Sequence, residues 1–155
     1  MEGLRLERPT PGHKARYEAM MEEWEGYGGR LNPGAIRRYS PKRQQNVSYE
    51  EWLGWVEDGL KAGQDLYFLM EGEALLGAIS IRYRKKAQDT GTDGNSGYGI
   101  RPSMRRRGYA AKMLALALPL MREYGLNPVC ITCDKDNIAS AKTILHNGGK
   151  LHQQG

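Results

Sequence analysis

The stretch from Tyr98 to Ala110, Tyr-Gly-Ile-Arg-Pro-Ser-Met-Arg-Arg-Arg-Gly-Tyr-Ala, constrains this chain more than any other. A strand closes at Pro102 and an amphipathic helix opens near Gly108, so the turn between them gathers unpaired backbone N–H groups into a small volume. A nest of that kind binds phosphate oxygens. Arg105, Arg106 and Arg107 add positive charge at the helix's positive end, and Gly108 and Ala110 let a diphosphate approach the main chain closely, with Tyr109 between them. The ligand implied is a polyanionic nucleotide cofactor. A free-standing basic face, or a site for nucleic-acid phosphates, is the competing reading of the arginines, but it does not require strand, turn, glycine and helix in this order. Other phosphate loops fit less well: no Gly-Lys-Ser/Thr is present, and Gly97-x-Gly99 has Pro102 where a dinucleotide fingerprint needs its third glycine.

The spacing Arg105-x-x-Gly108-x-Ala110 resembles the Arg/Gln-x-x-Gly-x-Gly/Ala signature of the GNAT superfamily of acyl-CoA-dependent N-acyltransferases, in which this turn grips the coenzyme A pyrophosphate. The elements that follow agree with it: a helix to about Tyr124, a strand over Val129 to Cys133, then Asp136-Asn137-Ile138-Ala139 opening a second helix that ends at Asn147-Gly148-Gly149. That order is similar to the family's core from its fourth strand to its fourth helix. It covers roughly the last third of the chain, and the earlier part agrees only in element order.

At 155 residues the chain reads as one domain over 1–155, with room for a proper core. Hydrophobic content of 39% and charged content of 26% are those of a soluble globular protein, and no apolar run is long enough to cross a membrane. The start, Met1-Glu2-Gly3-Leu4-Arg5, lacks the apolar core of a signal peptide, so a cytoplasmic location is expected. A net charge of +5 suits an anionic partner without saying which. Cys130 and Cys133 sit in an expected strand, where residues three apart face opposite ways. They read as reduced thiols, and no second pair completes a metal site.

Leu4 to Arg8 alternates apolar and charged as a half-covered strand does, and Pro9 stops it. Thr10-Pro11 opens a helix whose Tyr17, Met20, Met21 and Trp24 read as core. Gly26 to Gly34 reads as a mobile connection and Arg37 to Gln45 as exposed loop. Ser48 to Glu51 fits a capping box opening a second helix, with Trp52, Trp55 and Val56 as its buried stripe and Gly63 as its stop. Two apolar strands, Asp65 to Glu71 and Ala74 to Tyr83, flank Gly72-Glu73 and predict an antiparallel hairpin in a sheet covered on both faces. Arg84 to Asn95 reads as a polar loop. In the helix after the phosphate turn, Leu114, Leu118 and Met121 mark the core face, and Pro119 bends it. The fold class expected is α/β in layers: a mixed, mostly antiparallel GNAT-like sheet flanked by about four helices, its C-terminal strands short or missing.

The resemblance implies acetyl-CoA as co-substrate and transfer of its acetyl group to a primary amine by direct attack in a ternary complex. It also implies that backbone groups of Tyr98 to Arg101 pair with the pantetheine arm, that the main-chain N–H near Ile100 faces the thioester oxygen, and that Asn137 contacts the cofactor. Tyr27 and Arg30, with Glu22, Glu23 and Glu25, become candidates for acceptor contacts. An amine with a free pKa near about 10.4 must lose a proton, and no carboxylate lies on Gly97 to Arg101. Tyr98, sharing a strand face with Ser96 and Ile100, is the candidate acid or water-positioning group. Many relatives place a tyrosine where this chain has Ile144, so side-chain protonation of the departing thiolate is in question, and His146 reads as a cap or surface residue. The family also adds two strands after Gly148-Gly149, where only Lys150 to Gly155 remain. The expectation is a longer natural chain, or a homodimer that covers the open sheet edge. The acceptor is a small molecule or peptide, with neither nucleic acid nor membrane as partner and no metal. A non-catalytic acyl-CoA binder on the same fold is the alternative, with a nucleic-acid-binding module behind it.

Overall fold

In the computed structural model of the chain, residues 3–28, 31–39, 47–83, 96–126, 131, 142–145 and 147–148 are described. Asn137, Cys130, Cys133, His146, Arg30, the 84–95 segment and the chain end expected to leave a sheet edge open lie outside them. Strands β1 (Leu4–Glu7), β2 (Gln64–Glu71), β3 (Ala74–Arg82) and β4 (Ser96–Ile100) form an antiparallel sheet in sequence order. The β2–β3 hairpin turns at Gly72, whose φ of 59° is the left-handed conformation that such a turn needs. One parallel bridge, Ser96 to Ile131, adds the mixed character expected.

Helices α1 (Lys14–Tyr27) and α2 (Tyr49–Lys61) cover one face of the sheet, and α3 (Tyr109–Glu123) covers the other. The near-continuous apolar runs of β2 and β3 follow from this, because both faces are buried. On the first face Tyr17 stacks on Trp52 with ring centroids 4.5 Å apart, beside Phe68 and Tyr49. On the second, Met113, Leu114, Ala117 and Met121 of α3 meet Leu69, Ile79 and Ile81. Leu118 is only partly buried at the margin of this cluster. No helix of the described residues is long and apolar enough to cross a membrane.

Several local expectations change. The entry at Thr10-Pro11 is a 3-10 turn, Pro11–His13, before α1 begins at Lys14, and the buried His13 accepts the Thr10 N–H through Nδ1 at 3.0 Å. Helix α1 continues over Gly26 and Tyr27 and stops at Gly28, φ 95°. Part of the supposed exposed loop after Ile36 is a docked 3-10 segment, Gly34–Arg38, followed by a buried Tyr39. It is pinned there by the Tyr17 hydroxyl, which donates to the Ile36 and Tyr39 carbonyls, and by Trp52 Nε1, which donates to the Ala35 carbonyl at 2.9 Å. Those long-range donors are what the aperiodic sequence could not reveal. Ser48 caps α2 as expected, accepting the Glu51 N–H at 3.0 Å; Trp52 is buried and Val56 partly buried as expected, and Tyr49 and Leu53 complete the stripe. Trp55 is 41% exposed, on the flank of the face that meets the sheet.

Far from the phosphate turn, Asp65 is 3% exposed and holds the sheet to the end of α3. It accepts from Arg8 at 2.9 Å and from the Tyr124 hydroxyl at 2.7 Å, and the Arg8 guanidinium lies 5.5 Å from the centre of the Tyr67 ring. Burial, reinforced by this hydrogen-bonded company, holds the Tyr67 phenol well above its ordinary range.

Candidate active site: the β4–α3 turn

Strand β4 delivers the chain to a 3-10 turn, Pro102–Met104, and two left-handed residues, Arg106 (φ 65°) and Gly108 (φ 84°), then turn it into α3. Gly108 is the N-cap and brings no side-chain hydrogen bond. The first bond into the helix runs from the Lys112 N–H to the Gly108 carbonyl at 3.1 Å. Among the described residues, the N–H groups from Arg106 to Ala111 therefore have no backbone acceptor. The uncapped end carries the positive end of the helix dipole, and glycine at the cap leaves nothing between a ligand and the main chain. The turn thus presents, among the described residues, a run of main-chain N–H groups at the start of α3.

The side chains divide the work unevenly. Arg106 and Arg107 are exposed beside the nest. Arg105 is turned back: its Nε donates to the Ile100 carbonyl at 2.9 Å, and its guanidinium lies 5.3 Å from the Trp24 and Tyr27 ring centres. Tyr109, partly buried, donates its hydroxyl to Glu71 at 3.0 Å, and that hydrogen bond holds its phenol above the ordinary value. Ala110 is partly buried against the α3-side core. Asn147 Nδ2 donates to the Ala111 carbonyl at 3.3 Å and so ties the helical segment at 142–145 to the first turn of α3. Ile144 of that segment packs against the same apolar cluster, so this position offers no proton donor.

Successive strand residues present their main-chain groups to opposite edges. The Arg101 N–H donates to Leu76 of β3 at 2.9 Å, so the Ile100 N–H faces the edge that β4 does not share with β3. That is the edge on which Ser96 bridges Ile131. Tyr98 and Ile100 lie on the α3 side of the strand, Tyr98 half-buried. Gly97 and Gly99 lie on the α1 side, Gly97 against Pro33 and Gly99 against Asn32 and Trp24. Among the described residues, Ser96 Oγ and Trp24 Nε1 are buried here without hydrogen-bond partners.

Residues that the sequence reading assigned elsewhere hold the turn in place. Glu23 of α1 accepts from Arg101 Nη2 at 2.9 Å and Nε at 3.1 Å, and from the Ser103 N–H and hydroxyl, each at 2.9 Å. Arg101 Nη1 also donates to the Leu75 carbonyl at 3.0 Å. Burial pushes the Glu23 carboxyl up, but the Arg101 and Ser103 hydrogen bonds outweigh it and leave the group below its ordinary value. Glu23, a candidate acceptor contact in the sequence, is therefore committed to the β4–α3 turn. Tyr27, another of the described candidates, is 69% exposed beside Arg105.

Residues 4–150 match the acetyltransferase (GNAT) domain family. The chain belongs to the GNAT acetyltransferases. Solved structures agree with the GNAT fold at low identity. The microcin C7 self-immunity acetyltransferase, in complex with acetyl-CoA and AMP, superimposes with TM-score 0.59 at 15% identity, over 96% of this chain and 79% of that one. A ribosomal L7/L12 alpha-N-protein acetyltransferase holding coenzyme A gives 0.60 at 16%, over 95% and 80%. An aminoglycoside acetyltransferase from an uncultured soil metagenomic sample gives 0.59 at 11%, over 99% and 92%. No curated protein sequence matches the chain at a significant level. The co-substrate expected from the sequence, acetyl-CoA, is the GNAT ligand present in the first of these crystals.

Proposed function

We propose that this GNAT protein is an N-acetyltransferase that moves the acetyl group of acetyl-CoA to a primary amine by direct attack in a ternary complex. The observation that carries the reading is the open N-terminus of α3, where Gly108 caps without a side chain and the following N–H groups find no backbone acceptor among the described residues. Acetyl-CoA supplies an activated acyl carbon and a thiolate leaving group. In this reading the N–H groups from Arg106 to Ala110 hold the diphosphate, and Arg106 and Arg107 supply charge. The Ile100 N–H, facing the free edge of β4, polarises the thioester oxygen. Tyr98 positions the water or amine whose proton must leave, and Asn137 makes a further cofactor contact. The acceptor is a small-molecule or peptide amine.

A specific ligand stabilises the folded state, so acetyl-CoA should raise the melting temperature in proportion to the logarithm of its concentration. A panel of primary amines, including peptide N-termini and polyamines, then tests turnover by thiol release. Tyr98→Phe should lower turnover at unchanged acetyl-CoA affinity; unchanged turnover removes Tyr98 from the mechanism. The apolar packing of Ile144 favours one second reading, an acyl-CoA binder without turnover. Acetyl-CoA binding with no turnover across the panel would select it.

A further inference from the structure

Helix α1 and the phosphate turn are joined by more than apolar contact. The Glu23 carboxylate receives both the Arg101 guanidinium and the Ser103 N–H and hydroxyl, so both of its oxygens are engaged on the segment leading into the nest. Arg101 is held in turn by β3, through its N–H to the Leu76 carbonyl and through Nη1 to the Leu75 carbonyl. Those two carbonyls fall where the β2–β3 register slips: Leu69 pairs with Gly77 but Met70 pairs with Leu75, so Leu76 is an extra residue. A bulge bends its strand and redirects carbonyls that a regular ladder would hold. The ion pair is mostly withdrawn from solvent, Arg101 at 18% and Glu23 at 28% side-chain exposure.

Next to Glu23 and one turn beyond it, Trp24 and Tyr27 sit under the Arg105 guanidinium. The last turns of α1 therefore grip the segment at Arg101, Ser103 and Arg105, immediately before the left-handed Arg106 that aims the N–H groups. Arg106 has no glycine freedom to hold that conformation by itself. Something outside the turn must fix it, and the Glu23 ion pair and hydrogen bonds reach that segment from α1.

We infer that Glu23 is a positioning residue for the co-substrate: by clamping Arg101 and Ser103 it sets the aim of the N–H nest at Arg106 to Ala111, and so the affinity for the diphosphate of acetyl-CoA, without touching it. This rests on the proposed use of the nest for acetyl-CoA. Glu23→Gln keeps the shape but leaves Arg101 without its counter-charge, and the turn loses its fixed aim.

The test is calorimetric titration of acetyl-CoA into the full chain at a temperature where wild type, Glu23→Gln, Glu23→Asp and Arg8→Met are all folded by circular dichroism. Arg8→Met breaks the ion pair with Asp65 at the far end of the sheet and serves as the measure of general destabilisation. The expected result is a rise in Kd of about tenfold for Glu23→Gln, equivalent to about 1.4 kcal/mol, with Glu23→Asp closer to wild type. Arg8→Met should lower the melting temperature while its Kd stays within about twofold, the change expected if stability alone does not set affinity. A Kd for Glu23→Gln within twofold of wild type, or a rise in Arg8→Met as large as in Glu23→Gln, overturns the inference. If Glu23→Gln does not fold, Arg101→Gln, which removes the other half of the clamp, decides on the same twofold criterion. Wild-type protein that fails to bind acetyl-CoA defeats the proposed function instead, and the two failures are distinguishable.

Discussion

Gly97 and Gly99 occupy the same face of the same strand, yet the structure predicts opposite consequences for adding one methyl group to each. A Cβ on Gly99 would lie 2.5 Å from the Asn32 carbonyl oxygen, 2.7 Å from Cη2 of Trp24 and 3.1 Å from the Asn32 Cβ. Carbon contacts are comfortable at about 3.5 Å or more, so the strand or its cover must move by about 1 Å. Trp24 is 1% exposed within the α1-side core and cannot swing aside, and the carbonyl belongs to main chain. Overpacking of this kind costs about 1–3 kcal/mol, and two immovable neighbours place Gly99→Ala in the upper half of that range. For a domain of this size that lowers the melting temperature by about 4–12 °C.

A Cβ on Gly97 meets only Pro33 Cβ at 3.6 Å, Ser80 Oγ at 3.7 Å and Pro33 Cα at 4.0 Å, all ordinary contacts. Restricting the unfolded chain should then stabilise Gly97→Ala by about 0.4–1 kcal/mol. The assay is parallel urea and thermal unfolding of both variants, with equal m-values as the check that only stability has changed. Gly99→Ala as stable as wild type, or the two variants falling together, would refute the packing of Asn32 and Trp24 over β4.

Other consequences are open to direct measurement. Glu23 and Glu7 have carboxyls below the ordinary value of 4.5, Glu7 through its hydrogen bond from Arg5 against the opposing effect of burial, and Glu23 as argued above. The unfolded chain therefore takes up these protons first as acid is added, so their stabilisation is complete above the ordinary value and is lost as pH falls through the folded ones. Glu23→Gln should flatten that loss below about pH 4.5, and identical acid-unfolding slopes would contradict it. Removing either exposed arginine at the nest, by Arg106→Ala or Arg107→Ala, should weaken acetyl-CoA binding by about 1 kcal/mol, about fivefold, with a shallower salt dependence. Unchanged affinity in both would place the diphosphate elsewhere. Asp65→Asn leaves Arg8 without a carboxylate and weakens the Tyr124 contact, so it should cost about 2 kcal/mol and about 4–8 °C in melting temperature while sparing acetyl-CoA binding.

The elements whose register is local were legible without the fold. Gly72-Glu73 between two apolar runs fixes the β2–β3 hairpin, Ser48 with Glu51 fixes the start of α2, and Arg105-x-x-Gly108-x-Ala110 fixes both the open cap of α3 and the family. Each depends on residues within a turn or two of one another, and backbone stereochemistry acts at that range. Trp55 escaped because it lies beside Trp52 at helical spacing, on the flank of the stripe, and only the position of the sheet decides where burial ends. The docked segment at Gly34–Arg38 escaped because its stabilising donors, Tyr17 and Trp52, are distant in sequence.

The same division holds within the candidate site. Composition and spacing led to the expectation of a positively charged phosphate nest at Arg105 to Ala110. They could not say that Arg105 would spend its Nε on the Ile100 carbonyl and its charge on two aromatic rings, leaving Arg106 and Arg107 for a ligand. Nor could they choose Glu23 from its neighbours Glu22 and Glu25, since the choice depends on the β3 bulge and on where the Arg101 guanidinium meets α1. Periodicity and turn chemistry are properties of a segment, so one sequence determines them. Which charged groups meet is set by packing between segments distant along the chain, and the tertiary structure alone decided it.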